Sequence, residues 1–242
     1  MKPKYKRILL KISGEGLAGT DKTGIDTAVV MKTAYQIAQL QKSGVQTCVV
    51  LGGGNFFRGA KNAGAAMDRS VADQIGMLAT VMNAMALKSA LESISVPVMV
   101  FSGLNIPQIC DNYNFRNAIK AVSENQVVIF AGGTGSPYFT TDTGAALRAI
   151  EMHCDILLKA TQVDGVYDAD PRYNPQAKRY DEITYSEVLE KNLNVLDMTA
   201  VAMAKDADLP VMIFALHKEN SIINAVCGKE KCTIIKKQRG VK

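Results

Sequence analysis

The segment VQTCVVLGGGNFFRG, residues 45–59, joins a β-branched apolar run to three consecutive glycines. Valine and threonine in such a run favour a buried strand. Similar short runs recur between longer segments of helical period, at residues 7–12, 96–101, 127–130, 156–160, 211–215 and 233–236. This alternation predicts an α/β fold with an open, mainly parallel central sheet and helices on both faces, a three-layer α/β/α arrangement.

The clearest helix is predicted to follow Asp68. Apolar residues there step by four and three onto one stripe, which consists of Val71, Ile75, Leu78, Met82 and Met85. We expect most of this stripe to be core, because an amphipathic helix turns its apolar face inward. Met77 and Val81 lie off the stripe and are candidates for a subunit contact.

Two other helices carry boundary signals. Asp26 is predicted to cap a helix over residues 27–41 that Gly44 ends, and Thr184 to cap a helix over residues 185–191. The 242 residues, 48% of them hydrophobic, contain no repeat, low-complexity segment or clear linker. A single domain over residues 1–242 is therefore the simplest interpretation.

Composition and patterning argue against several classes of protein. The longest apolar runs are far too short to cross a bilayer, and the N-terminal segment lacks the apolar core of a signal peptide, so we expect a cytoplasmic protein without a membrane partner. The five cysteines are odd in number and form no CxxC pair, which indicates reduced structural thiols. His153 and His217 are far apart in sequence and give no zinc pattern.

The net charge of +5 comes from the two ends of the chain. Residues 1–11 carry five basic side chains and residues 228–242 a net charge of +5, so residues 12–227 carry −5. No aromatic residues alternate with these charges as in a single-strand binding surface. Solvated termini are the simpler explanation, and no nucleic-acid partner is predicted.

Functional loops in a parallel sheet gather at the carboxyl ends of the strands. Four predicted strands lead into unusual sequence: KISGE (residues 11–15), LGGGNFFRG (51–59), GGTGSPYFTTDTGAALRA (132–149) and KATQVDGVYDADP (159–171). Gly52, Gly53 and Gly54 would let backbone N–H groups approach phosphate oxygens, although a tight turn also explains them. Arg58 favours phosphate, because a guanidinium forms paired hydrogen bonds with it.

Lys11 and Lys159 each end a predicted strand, so they could reach a transferred phosphoryl group from two sides. Asp142 opens the helix after the threonine-rich loop. It could hold the two lysines, help bind magnesium or act as the N-cap of its helix.

Two standard nucleotide signatures fit poorly. Gly54 and Gly59 have the spacing of a P-loop, but Ala60 and Lys61 replace the required Lys and Ser/Thr. Residues 14–19 spell GxGxxG after a strand, yet a polar turn over residues 20–24 intervenes before any helix. Neither the Walker nor the dinucleotide interpretation is favoured.

Long motifs in register resemble the amino acid kinase family, and within it the bacterial UMP kinase branch. They are KISGE, GGGNFFRG, DRSVADQIGMLATVMN (residues 68–83), GTGSPYFTTDT (133–143) and KATQVDGVYDADP, and the resemblance extends from residue 5 to about residue 235. It implies transfer of the γ-phosphoryl group of MgATP to UMP in pyrimidine nucleotide synthesis. It further implies Mg²⁺, a homohexamer, activation by GTP and inhibition by UTP.

The resemblance also implies roles for particular residues, with an acceptor site mainly in the N-terminal part and an ATP site mainly from about residue 155 onward. Catalysis would involve Lys11, Arg58, Asp142 and Lys159. ATP would contact Lys11, Ile12, Ser13, Gly14, Gly54, Arg58, Thr161, Gln162, Tyr167 and Asp170. UMP would contact Gly53, Asp73, Thr134, Gly135, Ser136, Pro137, Tyr138, Phe139, Thr140 and Thr141. GTP regulation would involve Gly19, Thr20, Asp21, Lys22, Thr23 and Gly24. Gln162 departs from other members, which use a different polar or aromatic residue there.

Three alternatives remain open. Another kinase of the same family would act on a carboxylate or carbamate but lack the GTGSPYFTTDT loop. A nucleotide storage or sensor protein on the same fold would bind without turnover, which the combination of Lys11, Arg58 and Asp142 disfavours. An NAD-dependent oxidoreductase would use residues 14–19 as a dinucleotide turn.

Overall fold

A nine-stranded sheet forms the centre of the part of the chain that the structure describes. The structure is a computed structural model and describes residues 2–21, 23–57, 67–171, 173–174, 176–193 and 195–238. Arg58 and Lys22, both predicted site residues, lie outside the described residues. The strands of the sheet are β1 (Arg7–Ile12), β2 (Gln46–Leu51), β3 (Val98–Ser102), β4 (Asp111–Asn112), β5 (Val127–Ala131), β6 (Ile156–Thr161), β9 (Glu182–Thr184), β10 (Val211–Ala215) and β11 (Cys232–Lys236). A separate antiparallel pair consists of β7 (Val166–Tyr167) and β8 (Arg179–Tyr180).

The order of strands across the sheet is β4-β3-β5-β2-β1-β6-β10-β11-β9. All neighbours are parallel except β10 and β11. The predicted parallel α/β sheet is confirmed, and all seven predicted strands are present with ends shifted by no more than two residues. The sequence did not reveal β4, β7, β8 and β9, because runs of two or three residues show no apolar periodicity.

Helices cover both faces of the sheet. They are α1 (Thr27–Lys42), α2 (Arg69–Ser93), α3 (Phe115–Ser123), α4 (Thr141–Glu151), α5 (Tyr185–Glu190), α6 (Met198–Asp206) and α7 (Ser221–Val226). One core, with Ile8 and Leu10, joins the sheet to α1, α2 and α7. The other core, with Leu9, joins it to α3, α4, α5 and α6. Successive strand residues point to opposite faces, so Lys11 lies on the same side as Leu9.

The prediction for the apolar stripe of α2 was wrong. Val71, Leu78 and Met82 are 46%, 48% and 47% exposed. Met77 and Val81, the residues expected off the core, are buried. Both sides of this helix are apolar enough to bury, so its periodicity did not reveal which side meets the sheet.

The predicted helix boundaries are confirmed in two cases. Asp26 caps α1 by accepting hydrogen bonds from the backbone N–H groups of Ala28 and Val29, and Gly44 follows the helix end with φ of +80°. Thr184 caps α5 as part of a capping box with Glu187. No described helix is long and apolar enough to cross a membrane.

Leu87→Ala tests which face of α2 is buried. Leu87 is fully buried, so we expect the substitution to lower the free energy of unfolding by about 2 to 5 kcal/mol through lost burial and a residual cavity. Glu92→Ala, on the exposed side of the same helix, is the control and should change it by no more than about 0.5 kcal/mol. Urea titrations at one protein concentration measure both. Equal effects would contradict the orientation of the helix.

Candidate active site

Four loops meet at one edge of the sheet, where β5, β2, β1 and β6 end side by side. These strands are parallel neighbours, so their carboxyl ends lie at the same level. The loops that follow them are the four segments singled out in the sequence. Their predicted convergence is confirmed.

Lys11 and Lys159 are partners in register on adjacent strands β1 and β6. Both side chains approach the carboxylate of Asp142, which lies in the first turn of α4. Lys11 Nζ is 3.0 Å from Asp142 Oδ1, and Lys159 Nζ is 2.6 Å from Asp142 Oδ2. Lys159 also donates to the backbone carbonyl of Val195 at 2.6 Å. The two lysines and one carboxylate form a cluster that we call the lysine pair with Asp142.

Burial and charge act in opposite directions on this cluster. Burial alone would raise the pKa of Asp142, but the positive charges of Lys11 and Lys159 outweigh it and hold that pKa below its ordinary value. Burial lowers the pKa of Lys159, repulsion from Lys11 lowers it further, and the charge of Asp142 offsets part of this effect. The carboxylate is therefore ionised at neutral pH and keeps two cations close together.

The start of α4 fixes the position of Asp142. Thr140 is the N-cap, and its Oγ1 accepts from the backbone N–H of Asp142 at 3.0 Å. The interpretation of Asp142 as the N-cap was therefore wrong: its carboxylate is turned to the lysines, and Thr140 satisfies the free N–H groups of the first turn.

Asp197 holds the same helix start from the other side. Its carboxylate accepts from the hydroxyl of Thr140, and from the N–H and the hydroxyl of Thr143 at 3.1 and 2.8 Å. It also caps α6 by accepting from the N–H of Ala200. This residue was not predicted from the sequence, because its partners at the start of α4 lie more than fifty positions away.

An open cleft of about 200 Å³ extends from this edge toward α2. Its lining contains the predicted residues Gly53, Gly54, Asp73, Phe139, Thr140 and Thr141, together with Phe57, Arg69, Ala72, Gly76, Met77, Thr80 and Gly133. Thr141 of this lining directly precedes Asp142 in the chain, so the cleft borders the first turn of α4, whereas Lys11, Asp142 and Lys159 themselves do not line it.

Asp73 is held in place at the wall of this cleft. Both of its carboxylate oxygens accept from Arg69 Nε, at 2.9 and 2.8 Å, and one of them also accepts from the backbone N–H of Tyr138 at 2.8 Å. Arg69 in turn lies over the Tyr138 ring, with 5.4 Å from its Cζ to the ring centroid. Asp73 therefore ties the threonine-rich loop to α2.

The other predicted acceptor residues do not line the cleft. Thr134 exchanges hydrogen bonds with the backbone of Ser136 and lines a separate cavity beside Arg148. Gly135 lies against Gly103, where a Cβ would not fit. Pro137 and Tyr138 lie further along the same loop, between Ser136 and the cleft residue Phe139.

Among the residues predicted to bind ATP, those of the loop after β1 contact the loop after β2. A Cβ on Gly14 would lie 2.7 Å from the backbone nitrogen of Gly54, so only glycine permits this approach. Ile12 ends β1 beside β2, and Ser13 leads into a short 3₁₀ helix over Gly14–Leu17. The α-helix begins only at Thr27, which agrees with rejection of the dinucleotide fingerprint.

The remaining donor residues lie at the end of β6 and in the chain after it, and none of them lines the cleft. Thr161 ends β6, and its hydroxyl donates to the carbonyl of Val163. The side chain of Gln162 contacts His217 at the loop after β10, and the hydroxyl of Tyr167 donates to Asp164 at 2.6 Å. Asp170, also predicted to bind ATP, begins a turn in which its backbone carbonyl accepts from the N–H groups of Tyr173 and Asn174.

The segment predicted to be regulatory contacts, through Gly24, the loop of residues 52–55, which we call the glycine loop. The backbone N–H of Gly24 donates to the carbonyl of Asn55 at 3.1 Å, and Asn55 Nδ2 donates back to the carbonyl of Gly24 at 2.6 Å. Within the same segment, Gly19–Asp21 form a 3₁₀ turn. Thr20 and Thr23 lie near the surface.

Comparison with known proteins adds sequence and fold relatives. Residues 6–215 match the amino acid kinase family. The chain is 49% identical over 237 residues to a uridylate kinase of Hyphomonas neptunium, which covers 98% of this chain and 94% of that protein. It is 47% identical to a uridylate kinase of Ectopseudomonas mendocina, over 96% of this chain and 94% of that one.

Solved structures agree with these relatives. The crystal structure of a UMP kinase from Ureaplasma parvum superposes with a TM-score of 0.92 at 39% identity, over 98% of this chain and all of that one. The crystal structure of a UMP kinase from Bacillus anthracis superposes with a TM-score of 0.92 at 34% identity, over 98% of both chains. On sequence, fold and the arrangement of the strand-end loops, this chain belongs to the amino acid kinase family.

Proposed function

We infer that the chain transfers the γ-phosphoryl group of MgATP to UMP and yields ADP and UDP. The observation that carries this conclusion is the lysine pair with Asp142, which directly follows Thr141 of a cleft lined by glycine and threonine residues. The uridylate kinases that align with nearly the whole chain support the choice of acceptor.

Phosphoryl transfer depends on positioning and on neutralising charge, and little covalent chemistry is required of the protein. Lys11 and Lys159 would place two positive charges against the transferred group, where charge spreads over three oxygens. Asp142 is a poor base, because its pKa is lowered and both of its oxygens face lysines. We assign it the role of holding the two ammonium groups at a fixed separation.

The acceptor would lie in the cleft beside α2. Asp73 offers the ribose a carboxylate whose position Arg69 and the backbone of Tyr138 already fix. Thr140 and Thr141 line the cleft at the N-terminus of α4, whose positive end favours an acceptor phosphate.

The donor nucleotide, ATP, would contact the loops that follow β1, β2 and β6. Its phosphates would lie along Lys11, Ile12, Ser13, Gly14 and Gly54, and its adenosine against Thr161, Gln162, Tyr167 and Asp170. The close approach of Gly14 to Gly54 supports a shared phosphate cradle, because both backbones are open to a ligand without Cβ atoms. Arg58, outside the described residues, completes the proposed catalytic set.

Magnesium would enter with ATP. Mg²⁺ commonly keeps several waters and is held by substrate phosphates with one or two carboxylates. The described residues include no group of three or more acidic, histidine or cysteine side chains that could hold a metal, which fits an ion carried by the nucleotide. When bound, it would neutralise charge on the phosphates. The lysines on both oxygens of Asp142 favour the holding role over a metal-binding role for that residue.

Assembly and regulation form the remaining part of the proposal. The exposed stripe of Val71, Leu78 and Met82 supports burial of α2 against another copy, and the resemblance supplies the number six. The resemblance likewise supplies GTP as activator and UTP as inhibitor. The hydrogen bonds between Gly24 and Asn55 support a link from residues 19–24 to the glycine loop.

A coupled assay of purified protein with MgATP tests the reaction. We expect turnover with UMP, and far less with CMP, dTMP, glutamate or carbamate as acceptor. Turnover of glutamate or carbamate would support another kinase of the family. ATP binding without any acceptor turned over would contradict the proposal and support a storage or sensor protein.

Lys11→Ala and Asp73→Asn should separate rate from acceptor binding. Lys11→Ala should lower kcat by about 100-fold or more with the KM for UMP within about threefold, because its charge acts mainly in the transition state. Asp73→Asn should raise the KM for UMP by about tenfold and change kcat little. Steady-state kinetics at saturating ATP measure both. The reverse pattern would contradict this division of the site.

Asp142→Asn should shift the alkaline limb of kcat/KM for ATP to lower pH. The lowered pKa of Lys159 places loss of its proton below the ordinary value of 10.5, and removing the Asp142 charge removes an effect that raises it. Activity that needs the protonated lysine is thus lost at a lower pH in the variant than in the unaltered protein. Glu151→Gln, which removes a carboxylate paired with Arg148, is the control and should leave the limb in place. A shift of the alkaline limb to higher pH in Asp142→Asn would contradict this explanation.

Leu78→Glu tests the proposed assembly. A buried charge at a subunit contact is costly, so we expect smaller species than the six-copy particle of the unaltered chain. Gln39→Glu, at an exposed position of α1, should leave the particle unchanged. Size-exclusion chromatography with light scattering measures both. A monomeric unaltered chain, or six copies in the Leu78→Glu variant, would contradict the proposal.

A further inference from the structure

Two asparagine side chains lie buried beneath the glycine loop, and phosphoryl transfer as proposed above gives neither of them a role. Asn83 is fully buried on the inner side of α2, and Asn55, which follows Gly54, is 3% exposed. Their neighbours on α2 are mostly apolar, among them Val81, Ala84 and Leu87. A carboxamide in such surroundings destabilises the fold unless its donors and acceptor are satisfied.

The two carboxamides satisfy each other. Asn83 Nδ2 donates to Asn55 Oδ1 at 2.8 Å, and Asn55 Nδ2 donates to Asn83 Oδ1 at 3.0 Å. The second N–H of Asn83 reaches the carbonyl of Gly52 at 2.7 Å, and the second N–H of Asn55 reaches the carbonyl of Gly24 at 2.6 Å. All four amide N–H groups therefore have an acceptor, and the pair is a closed unit.

This unit holds the glycine loop at both of its ends. At one end, the carbonyl of Gly52 accepts from Asn83 Nδ2, and the backbone N–H of Gly52 donates a hydrogen bond to the carbonyl of Ile12 at 2.8 Å. Asn55 is part of the pair itself. Between them, Gly53 lies so close to α2 that a Cβ would be 2.6 Å from the carbonyl oxygen of Gly76.

The pair also fixes the loop against the first phosphate segment. A Cβ on Gly14 would meet the backbone nitrogens of Gly54 and Asn55 at 2.7 and 2.9 Å, so Gly14 rests on the stretch that the pair anchors. Peptide N–H groups assist a charged transition state only when their directions are set in advance. A shift of the loop would move these donors relative to both Gly14 and Lys11.

We propose that Asn83, through its reciprocal pair with Asn55, is a positioning residue for phosphoryl transfer that fixes the backbone of residues 52–55. The inference rests on the proposed function, since it assigns the pair to that reaction. The pair lies beneath the loop and acts on the reacting groups through the backbone of Gly52, Gly53 and Gly54.

The test compares Asn83→Ala, Asn55→Ala and the double variant with Gln41→Ala. Gln41 is a matched control, because its carboxamide also donates to a backbone carbonyl, that of Asn125, but near the opposite edge of the sheet. Each asparagine variant should lower kcat at least tenfold and change both KM values less than threefold. The double variant should lose no more than about twice the larger single loss, because the pair acts as one unit.

Hydrogen exchange measured by mass spectrometry gives a readout that does not depend on activity. Backbone amides of residues 52–57 should exchange faster in Asn83→Ala and remain unchanged in Gln41→Ala. If Asn83→Ala does not fold, Asn55→Ala carries the same two measurements.

Three results would overturn the inference: a kcat within twofold of the unaltered protein, losses in the two single variants that multiply in the double variant, or unchanged exchange of residues 52–57. An unaltered protein that turned over no UMP would instead refute the proposed function. The exchange measurement would then still decide whether the pair fixes the loop.

Discussion

Asp142 keeps two lysine ammonium groups within ion-pair distance of one carboxylate, and the architecture around the cleft follows from that requirement. Two cations this close repel each other unless an anion lies between them. Lys11 and Lys159 can meet there only because β1 and β6 are parallel neighbours with these residues in register. The carboxylate must come from outside the sheet, which is why α4 begins at this edge.

Helix α2 positions the glycine-containing loops after β2 and β5, because residues on one side of the helix form hydrogen bonds with both of them. Asn83 binds the carbonyl of Gly52, Thr80 accepts from the N–H of Gly132 at 2.8 Å, and Asp73 accepts from the N–H of Tyr138. The three residues are about two turns and one turn apart on the same helix, so a rigid helix sets the loops at fixed distances from one another. The opposite side is free to carry the exposed stripe of Val71, Leu78 and Met82.

The sequence predicted a mainly parallel sheet and, as one of three roles left open for Asp142, its contact with the two lysines, because these depend on local patterns and on the rule that strand ends share an edge. It did not predict the contacts of Asp197 with the start of α4 or those of Asn83 with Asn55 and Gly52, because these partners are distant in sequence. It assigned the wrong face of α2 to the core, since alanine, threonine and asparagine dominate the true inner face. Periodicity identifies an apolar side but does not choose between two.

A crystal structure of the protein with UMP and a non-hydrolysable ATP analogue would test the central claim most directly. We predict that Lys11 Nζ and Lys159 Nζ both lie about 3 Å from oxygens of the γ-phosphoryl group, with Asp142 still between them. The UMP phosphate should approach that group from the cleft lined by Gly53 and Thr140. A γ-phosphoryl group that lies away from both lysines, or an acceptor outside this cleft, would contradict the account.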